Sequence, residues 1–527
     1  MLRTGHSLII GSFLLLLLAG AAARSATAQE PPPPDDVAQQ SVKFARVYGA
    51  VEQNYMDAID PDRLILEGGV RGMLSSLDPF SSFFDQDQYH QLQEETRGET
   101  LGFGSILYVQ QGRVMVIQAQ QGSPSWRAGL GPGDQILAVN GIQLNTLSFQ
   151  QLVQLLTKSR SHDVHLGVLR PGSASPVTFH LQPAEVALPT VDIAFRYSSG
   201  LGYIHVASFE SKTPQEVVDA LKKLDYENLK GLILDLRNNP GGMLASAVEL
   251  CSLFVKPGTV VLTLRGRTVP EKTFATVPAP IEVNLPMIVL VNGNTASAAE
   301  VVTAALQDHD RALVVGEPTF GKGVVESVMP LSDETAVALL TSEYFTPSGR
   351  SIQKPLPGTA LENPIRGIQS AGSSETGGKF HTADGRPVSA DGGITPDVLA
   401  LAPKLDPWME FLNQAGLFSN FASEYVSYHP KISKGFEPGS ETLEEFRNFL
   451  TAKRVKTPDE YWSRDQALLK TNIKVALFNL VFGLDYGNQA LTLDDPQVQK
   501  AAALFPEIPK LLLGPAGGAL AERHGSP

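Results

Sequence analysis

Short, continuous apolar runs separated by amphipathic stretches dominate the middle of the chain. Gly231-Leu232-Ile233-Leu234-Asp235-Leu236, Met287 to Val291 and Ala312 to Val315 carry almost no polar position. A half-exposed strand alternates apolar and polar residues, so runs apolar throughout predict strands covered on both faces. Tyr203 to Ala207 is a further strand of this kind. Between these runs, Thr213 to Leu224, Gly242 to Leu253 and Ala298 to Leu306 repeat apolar residues at helical spacing. Thr213 is expected to cap the first helix, with Pro214 at its first position. The repeated β-α-β order predicts an α/β domain with a covered sheet over residues 183–403.

The pattern differs on either side. Residues 41–96 show helical spacing at Val42, Phe44, Val47 and Val51, then at Leu64, Leu66, Val70, Met73 and Leu74. Leu77-Asp78-Pro79 ends the second helix, because proline disfavours the α conformation in its predecessor. This segment is predicted to be a helical arm. Residues 97–182 change to short strands and glycine turns. Residues 404–527 are predicted to be a helical C-terminal extension, clearest at Leu443 to Leu450 and Gln466 to Leu480, with a frayed end from Gly514. No catalytic constellation stands out in it.

The amino terminus reads as an address. Arg3, the apolar core Leu8 to Leu18 and Ala26-Thr27-Ala28 have the layout of a cleaved export signal over residues 1–28. No cysteine follows the apolar core, which disfavours a lipoprotein and leaves an exported, periplasmic or extracytoplasmic protein as the expectation. Residues 29–40, with four prolines at Pro31 to Pro34, read as a flexible spacer. The single cysteine, Cys251, excludes an intramolecular disulfide and fits a small core residue. The net charge of −13 becomes −15 once Arg3 and Arg24 leave with the signal, which argues against nucleic acid as a partner.

Within residues 97–182, Leu101-Gly102-Phe103-Gly104 precedes a strand from Ser105 to Val109. Ala128-Gly129-Leu130 and Gly133-Asp134-Gln135-Ile136-Leu137-Ala138-Val139-Asn140-Gly141 follow, then a helix from Ser148 to Leu156 and a strand from Asp163 to Leu169. The whole module resembles a PDZ domain. A glycine loop before a strand can aim backbone N–H groups at a terminal carboxylate while the strand edge pairs with the peptide. Leu101, Gly102, Phe103 and Gly104 are therefore the candidate peptide-binding residues.

The candidate chemistry lies in the α/β domain. Ser297, in Asn294-Thr295-Ala296-Ser297-Ala298, follows one buried strand; Lys322, in Phe320-Gly321-Lys322-Gly323, follows the next. Asn294 and Thr295 are expected to cap the following helix and place Ser297 in its first turn, where unpaired N–H groups suit a developing oxyanion. A lysine can serve as base only if desolvation lowers its pKa. The loop Arg237-Asn238-Asn239-Pro240-Gly241-Gly242 is the expected source of a second oxyanion donor.

Taken with Leu77-Asp78-Pro79, the PDZ-like module, Tyr344-Phe345-Thr346-Pro347-Ser348-Gly349-Arg350 and Gly393-Ile394-Thr395-Pro396-Asp397, these motifs span Phe44 to Val398. The string resembles the C-terminal processing peptidases, the tail-specific protease family of Ser/Lys endopeptidases. The resemblance implies a crotonase-like α/β core with an inserted PDZ domain. It implies Ser297 as nucleophile, Lys322 as general base, and Ala298 with Gly241 or Gly242 as oxyanion donors. It implies no cofactor or metal, and as partners protein substrates with apolar C-terminal tails; a homo-oligomer or an adaptor protein is left open.

Three positions depart from that family. Glu326 stands where a glutamine usually hydrogen-bonds the base, and a carboxylate there would favour the protonated lysine. Ala299 replaces a common serine. Phe80 replaces a histidine in the arm and is expected to touch no proposed chemistry. The departure at Glu326 keeps a degenerate, non-catalytic PDZ scaffold open as an alternative. A Ser/His/Asp site at Asp308-His309-Asp310 is disfavoured, since about 11 helical residues put His309 roughly 17 Å from Ser297. His205 reads as a strand residue.

Overall fold

Burial follows the apolar runs. Val191–Tyr197, Leu201–Val206, Gly231–Asp235, Met287–Val291, Leu313–Gly316 and Val398–Leu399 form one six-stranded sheet in that spatial order. Its first pair is antiparallel and the others are parallel. This is a computed structural model, and it describes residues 35–512 except 98–99, 111–112, 171–172, 174, 187–188, 198–199, 357–379 and 391. The expected export signal, residues 357–379 and the tail from Gly514 lie outside the described residues.

One face of the sheet presents Leu232, Leu234, Met287, Val289 and Val314 to the helices Thr213–Lys223, Leu244–Ser252 and Ala298–Asp308. The other face presents Tyr203, Ile233, Ile288, Leu290 and Val315. Its cover comes from the far end of the chain: Val498, Ala501 and Ile508, in the helices Pro496–Leu504 and Ile508–Leu512, pack there. Full burial of one such aliphatic side chain contributes roughly 1.5–3 kcal/mol. The last helices of the C-terminal extension are therefore a layer of the α/β core.

A second, antiparallel sheet carries Ala336–Phe345 at its centre, with Val324–Pro330 on one side and Val260–Arg265 and Ser82–Phe84 on the other. Ser82–Phe84 belongs to the helical arm, and its pairing of Ser82 with Ala338 draws the segment from Asp78 to Ser81 toward the core. Upstream, the helix Asp35–Asn54 begins inside the expected spacer. No proline occurs within this helix, and its one glycine, Gly49, lies near its end.

Residues 105–181 form a separate five-strand sheet with one further short strand and the helix Phe149–Ser159, which starts in a capping box of Ser148 and Gln151. Thr100–Gly102 and Ala184–Val186 pair where the chain enters and leaves this module. Pro407–Gln414, Leu417–Tyr428, Ser440–Ala452 and Gln466–Phe482 build an aromatic helical lobe around Trp408, Phe421, Phe446 and Trp462. Leu484 N–H donates to Gln118 Oε1 at 3.1 Å, tying this end of the chain to the inserted module.

Candidate active site

Ser297 is itself the N-cap of the helix Ala298–Asp308, where Asn294 and Thr295 were expected. Thr295 instead turns inward, its hydroxyl donating to the Leu236 carbonyl at 2.8 Å. Ser297 has φ 54° and ψ −120°, a conformation that L-residues rarely adopt. Such strain costs of order 1–3 kcal/mol and persists only where neighbours over-determine it. Here they do.

Glu300 is fully buried one turn into that helix. Its Oε2 accepts the Ser297 N–H and the Lys322 N–H, both at 2.9 Å. Its Oε1 accepts the Gly321 N–H at 2.8 Å and the Thr319 hydroxyl. Burial pushes this carboxyl's pKa up, and the four donors oppose the rise. From the other side, the Tyr344 hydroxyl lies 3.1 Å from the Ser297 carbonyl and also reaches the Lys322 carbonyl. Glu300 and Tyr344 thus staple the serine turn to the lysine turn. Sequence reading assigned neither a role. The three-residue spacing from a helix-capping serine to Glu300 was the available signal; Tyr344 gave none outside its motif.

Lys322 is buried, and its ammonium lies 3.4 Å from Glu326 Oε2, with the two side chains 5% and 7% exposed. Burial lowers the Lys322 pKa, opposed by the charges of Glu326, Asp78 and Glu300. Burial raises the Glu326 pKa, opposed by Lys322. Glu326 therefore faces the lysine and does not point away. Phe80 corrects an expectation: its ring centroid is 4.8 Å from Lys322 Nζ. The arm strand Ser82–Phe84 carries it there. Asp78 is fixed by the N–H groups of Phe80 and Ser81 at 2.8 and 2.6 Å and by the Ser81 hydroxyl at 2.8 Å.

Ser297, Ala298, Lys322, Glu326, Tyr344 and Gly242 line one cleft. Gly242 and Gly241 need their missing side chains. A Cβ on Gly241 (φ 100°) would stand 2.7 Å from Ser297 Cβ, and one on Gly242 (φ 138°) 2.1 Å from the Phe209 carbonyl oxygen. The Gly241 N–H donates to Asn239 Oδ1 at 2.8 Å, so it is not available to an oxyanion. The N–H groups of Gly242 and Ala298 have no acceptor among the described residues.

The loop is anchored from behind. Asp235 accepts Arg237 Nε at 3.0 Å and the Tyr203 hydroxyl at 2.6 Å. Despite burial, the Arg237 charge holds the Asp235 pKa below its usual value. His205, on the strand Leu201–Val206, contacts Asp192 Oδ1 at 2.5 Å and the Arg237 carbonyl at 3.1 Å. Burial opposes its charged form, but the Asp192 hydrogen bond and nearby carboxylates raise its pKa to about 9. His309 caps the far end of the serine helix, its Nε2 2.7 Å from the Val260 carbonyl. Cys251 is buried, which pushes its thiol up to about 12. Among the described residues no group of three or more His, Cys, Asp or Glu side chains could hold a metal ion.

In the inserted module, Leu101 and Gly102 belong to the paired entry strand, and Phe103-Gly104 turn into Ser105–Gln110. That strand pairs with Arg113–Ala119 and is the edge of its sheet. Leu101, Ile106 and, on the helix Phe149–Ser159, Val153 are exposed.

Residues 200–360 match the description of peptidase family S41, residues 115–170 that of a PDZ domain, and residues 17–88 that of the activating protease CtpB N-terminal domain. A carboxy-terminal-processing protease of Bartonella bacilliformis is 32% identical over 320 residues, 60% of this chain and 73% of that protein. A carboxyl-terminal-processing protease of Synechocystis sp. is 35% identical over 304 residues, 56% of this chain and 71% of that protein. Among solved structures, the photosystem II D1 C-terminal processing protease is 25% identical, with a TM-score of 0.37 and coverage of 68% of this chain and 93% of that one.

Proposed function

Because the chain belongs to peptidase family S41, that of the carboxy-terminal processing proteases, we propose that this serine-type peptidase is an exported endopeptidase with a Ser297–Lys322 dyad, directed by its PDZ domain to the C-terminal tails of proteins. The observation that carries the dyad is convergence. A strained serine at a helix N-cap and a buried lysine line one cleft, and Glu300 and Tyr344 hold their backbones together.

Lys322 in its neutral form accepts the Ser297 hydroxyl proton as Oγ attacks the scissile carbonyl carbon. The oxyanion that develops is held by the N–H groups of Gly242 and Ala298. As the tetrahedral intermediate collapses, the lysine returns the proton to the leaving amine; water then cleaves the acyl-enzyme by the same route. Burial of Lys322 is what favours its neutral form. The strand Ser105–Gln110, last in its sheet among the described residues and adjoining Leu101-Gly102-Phe103-Gly104, suits an added peptide strand, and the exposed Leu101, Ile106 and Val153 suit an apolar tail. The leader over residues 1–28 supports export to the periplasm or another extracytoplasmic space.

The test is cleavage of an unfolded protein with an apolar C-terminal tail, against the same protein with a charged tail. Wild type should cleave the first preferentially, and Ser297→Ala and Lys322→Ala should cleave neither. Undiminished cleavage by Ser297→Ala overturns the dyad, and equal cleavage of both tails overturns PDZ selection. A second reading, a non-catalytic PDZ scaffold, rests on Glu326 facing Lys322; it predicts that wild type leaves every substrate intact.

A further inference from the structure

Arg237 opens the loop that ends at Gly241-Gly242, and its side chain is shared between two distant parts of the chain. Nε and one terminal nitrogen donate to Asp235, at 3.0 and 2.6 Å. The other terminal nitrogen donates to Asp495 Oδ2 and to Gln497 Oε1, both at 2.7 Å. These acceptors lie 258 and 260 positions further along the chain. Asp495 is the N-cap of the helix Pro496–Leu504, its Oδ1 accepting from Gln497 N and Val498 N at 2.7 and 3.3 Å. One oxygen thus starts the helix and the other reaches back to Arg237. Gln497 is buried, and its Nε2 holds the Ala400 carbonyl at 2.5 Å, beside the edge strand Val398–Leu399.

A guanidinium only 13% exposed needs acceptors for each of its donors. Asp235 satisfies one edge of Arg237. Without Asp495 and Gln497 the other edge would have to turn toward water, taking the start of the loop with it. The loop follows an unusual path: Asn238, Gly241 and Gly242 all have positive φ, which the two glycines permit. Beyond Arg237 it is also held by Asn292 Oδ1, which accepts the Asn238 N–H at 3.0 Å, so losing the clamp would shift the loop without unfolding it.

We infer that Asp495 and Gln497 are positioning residues for the peptidase reaction, setting through Arg237 the loop whose Gly242 lines the Ser297 cleft. This rests on the reading of Ser297 and Lys322 given above. The same helix also buries Val498 and Ala501 against the sheet. That contact by itself would make it a stabilising layer, a role that changes how much protein is folded and leaves turnover per folded molecule alone.

The experiment uses the full chain. Asp495→Asn keeps a capping acceptor while removing the carboxylate, and Gln497→Ala removes the second acceptor. For these and their double variant, kcat and KM are measured on an unfolded, apolar-tailed protein, together with the thermal midpoint and the rate of Ser297 labelling by a fluorophosphonate. In the double variant, kcat and labelling rate should fall at least roughly tenfold with KM within about twofold, since an ångström of misplacement in a reacting geometry can cost about a hundredfold. Lys500→Ala, on the same helix, loses only a contact with the Leu399 carbonyl and should behave as wild type. Unchanged kcat and labelling in the double variant overturn the inference. So does a fall that Lys500→Ala reproduces, or one that matches the loss of folded protein. Ser297→Ala run alongside separates the two levels: if it retains wild-type activity, the dyad itself fails and the inference with it.

Discussion

Replacing Glu326 by glutamine removes one charge from beside the proposed base and preserves a side-chain oxygen that can accept a hydrogen bond from its nitrogen. The charges stand 3.4 Å apart with both side chains almost fully buried. At an effective permittivity of about 20, two full charges at that distance attract by about 5 kcal/mol. That energy favours protonated Lys322 only while Glu326 is ionised, and burial, which raises the Glu326 pKa, works against the ionised form. The sign is definite: Glu326 opposes the burial that lowers the Lys322 pKa. Removing it moves the acidic limb of the kcat/KM profile to lower pH. On that limb, where rate follows the fraction of neutral lysine, Glu326→Gln should gain at least roughly tenfold, which needs only about 1.4 kcal/mol of the available attraction. On the alkaline plateau the two proteins should agree within about twofold. The assay is cleavage of an unfolded, apolar-tailed protein across the pH range, with Ser297→Ala as blank. A limb that stays in place, or moves to higher pH, refutes the reasoning.

Gly242→Ala places a Cβ 2.1 Å from the Phe209 carbonyl oxygen at φ 138°, so the loop must move; kcat should fall roughly a hundredfold, as for loss of one oxyanion donor, and a wild-type kcat would count against Gly242 as that donor. Phe80→Ala opens the ring face over Lys322 to water; easing desolvation should raise the lysine pKa and move the acidic limb to higher pH, and an unmoved limb would return Phe80 to a purely structural role. The His205 pKa, raised from 6.5 to about 9, stabilises the fold fully below 6.5 and loses that contribution as pH climbs through 9. A rise of that size corresponds to about 3 kcal/mol. The stability advantage of wild type over His205→Gln, followed by thermal midpoints, should therefore shrink between pH 6 and pH 10, and a constant advantage would exclude the charged pair.

The positions of the central strands were legible because a strand covered on both faces has to be apolar at every residue. Met287–Val291 coincides with its predicted run, and Leu313–Gly316 is displaced by one residue. The serine helix starts where the apolar spacing starts, at Ala298. Its cap was misplaced by up to three residues because several adjacent side chains can cap a helix, and the strained backbone of Ser297 is imposed by partners elsewhere. The C-terminal helices were legible as helices. Their apolar spacing shows that a face is buried but not against what, so their place on the second face of the sheet was not.

The linear pattern by itself determined the strand and helix order, the PDZ module, and which serine and lysine lie in turns after buried strands, since each of these is written in residues close together in the chain. Only the tertiary structure decided what surrounds that serine and lysine. Glu300 reaches Lys322 across 22 positions, Tyr344 reaches Ser297 across 47, Phe80 arrives from the arm by strand pairing, and Asp495 reaches Arg237 across 258. Hydrogen bonds and desolvation act over a few ångströms of space, and no periodicity along the chain records which distant residues share those ångströms.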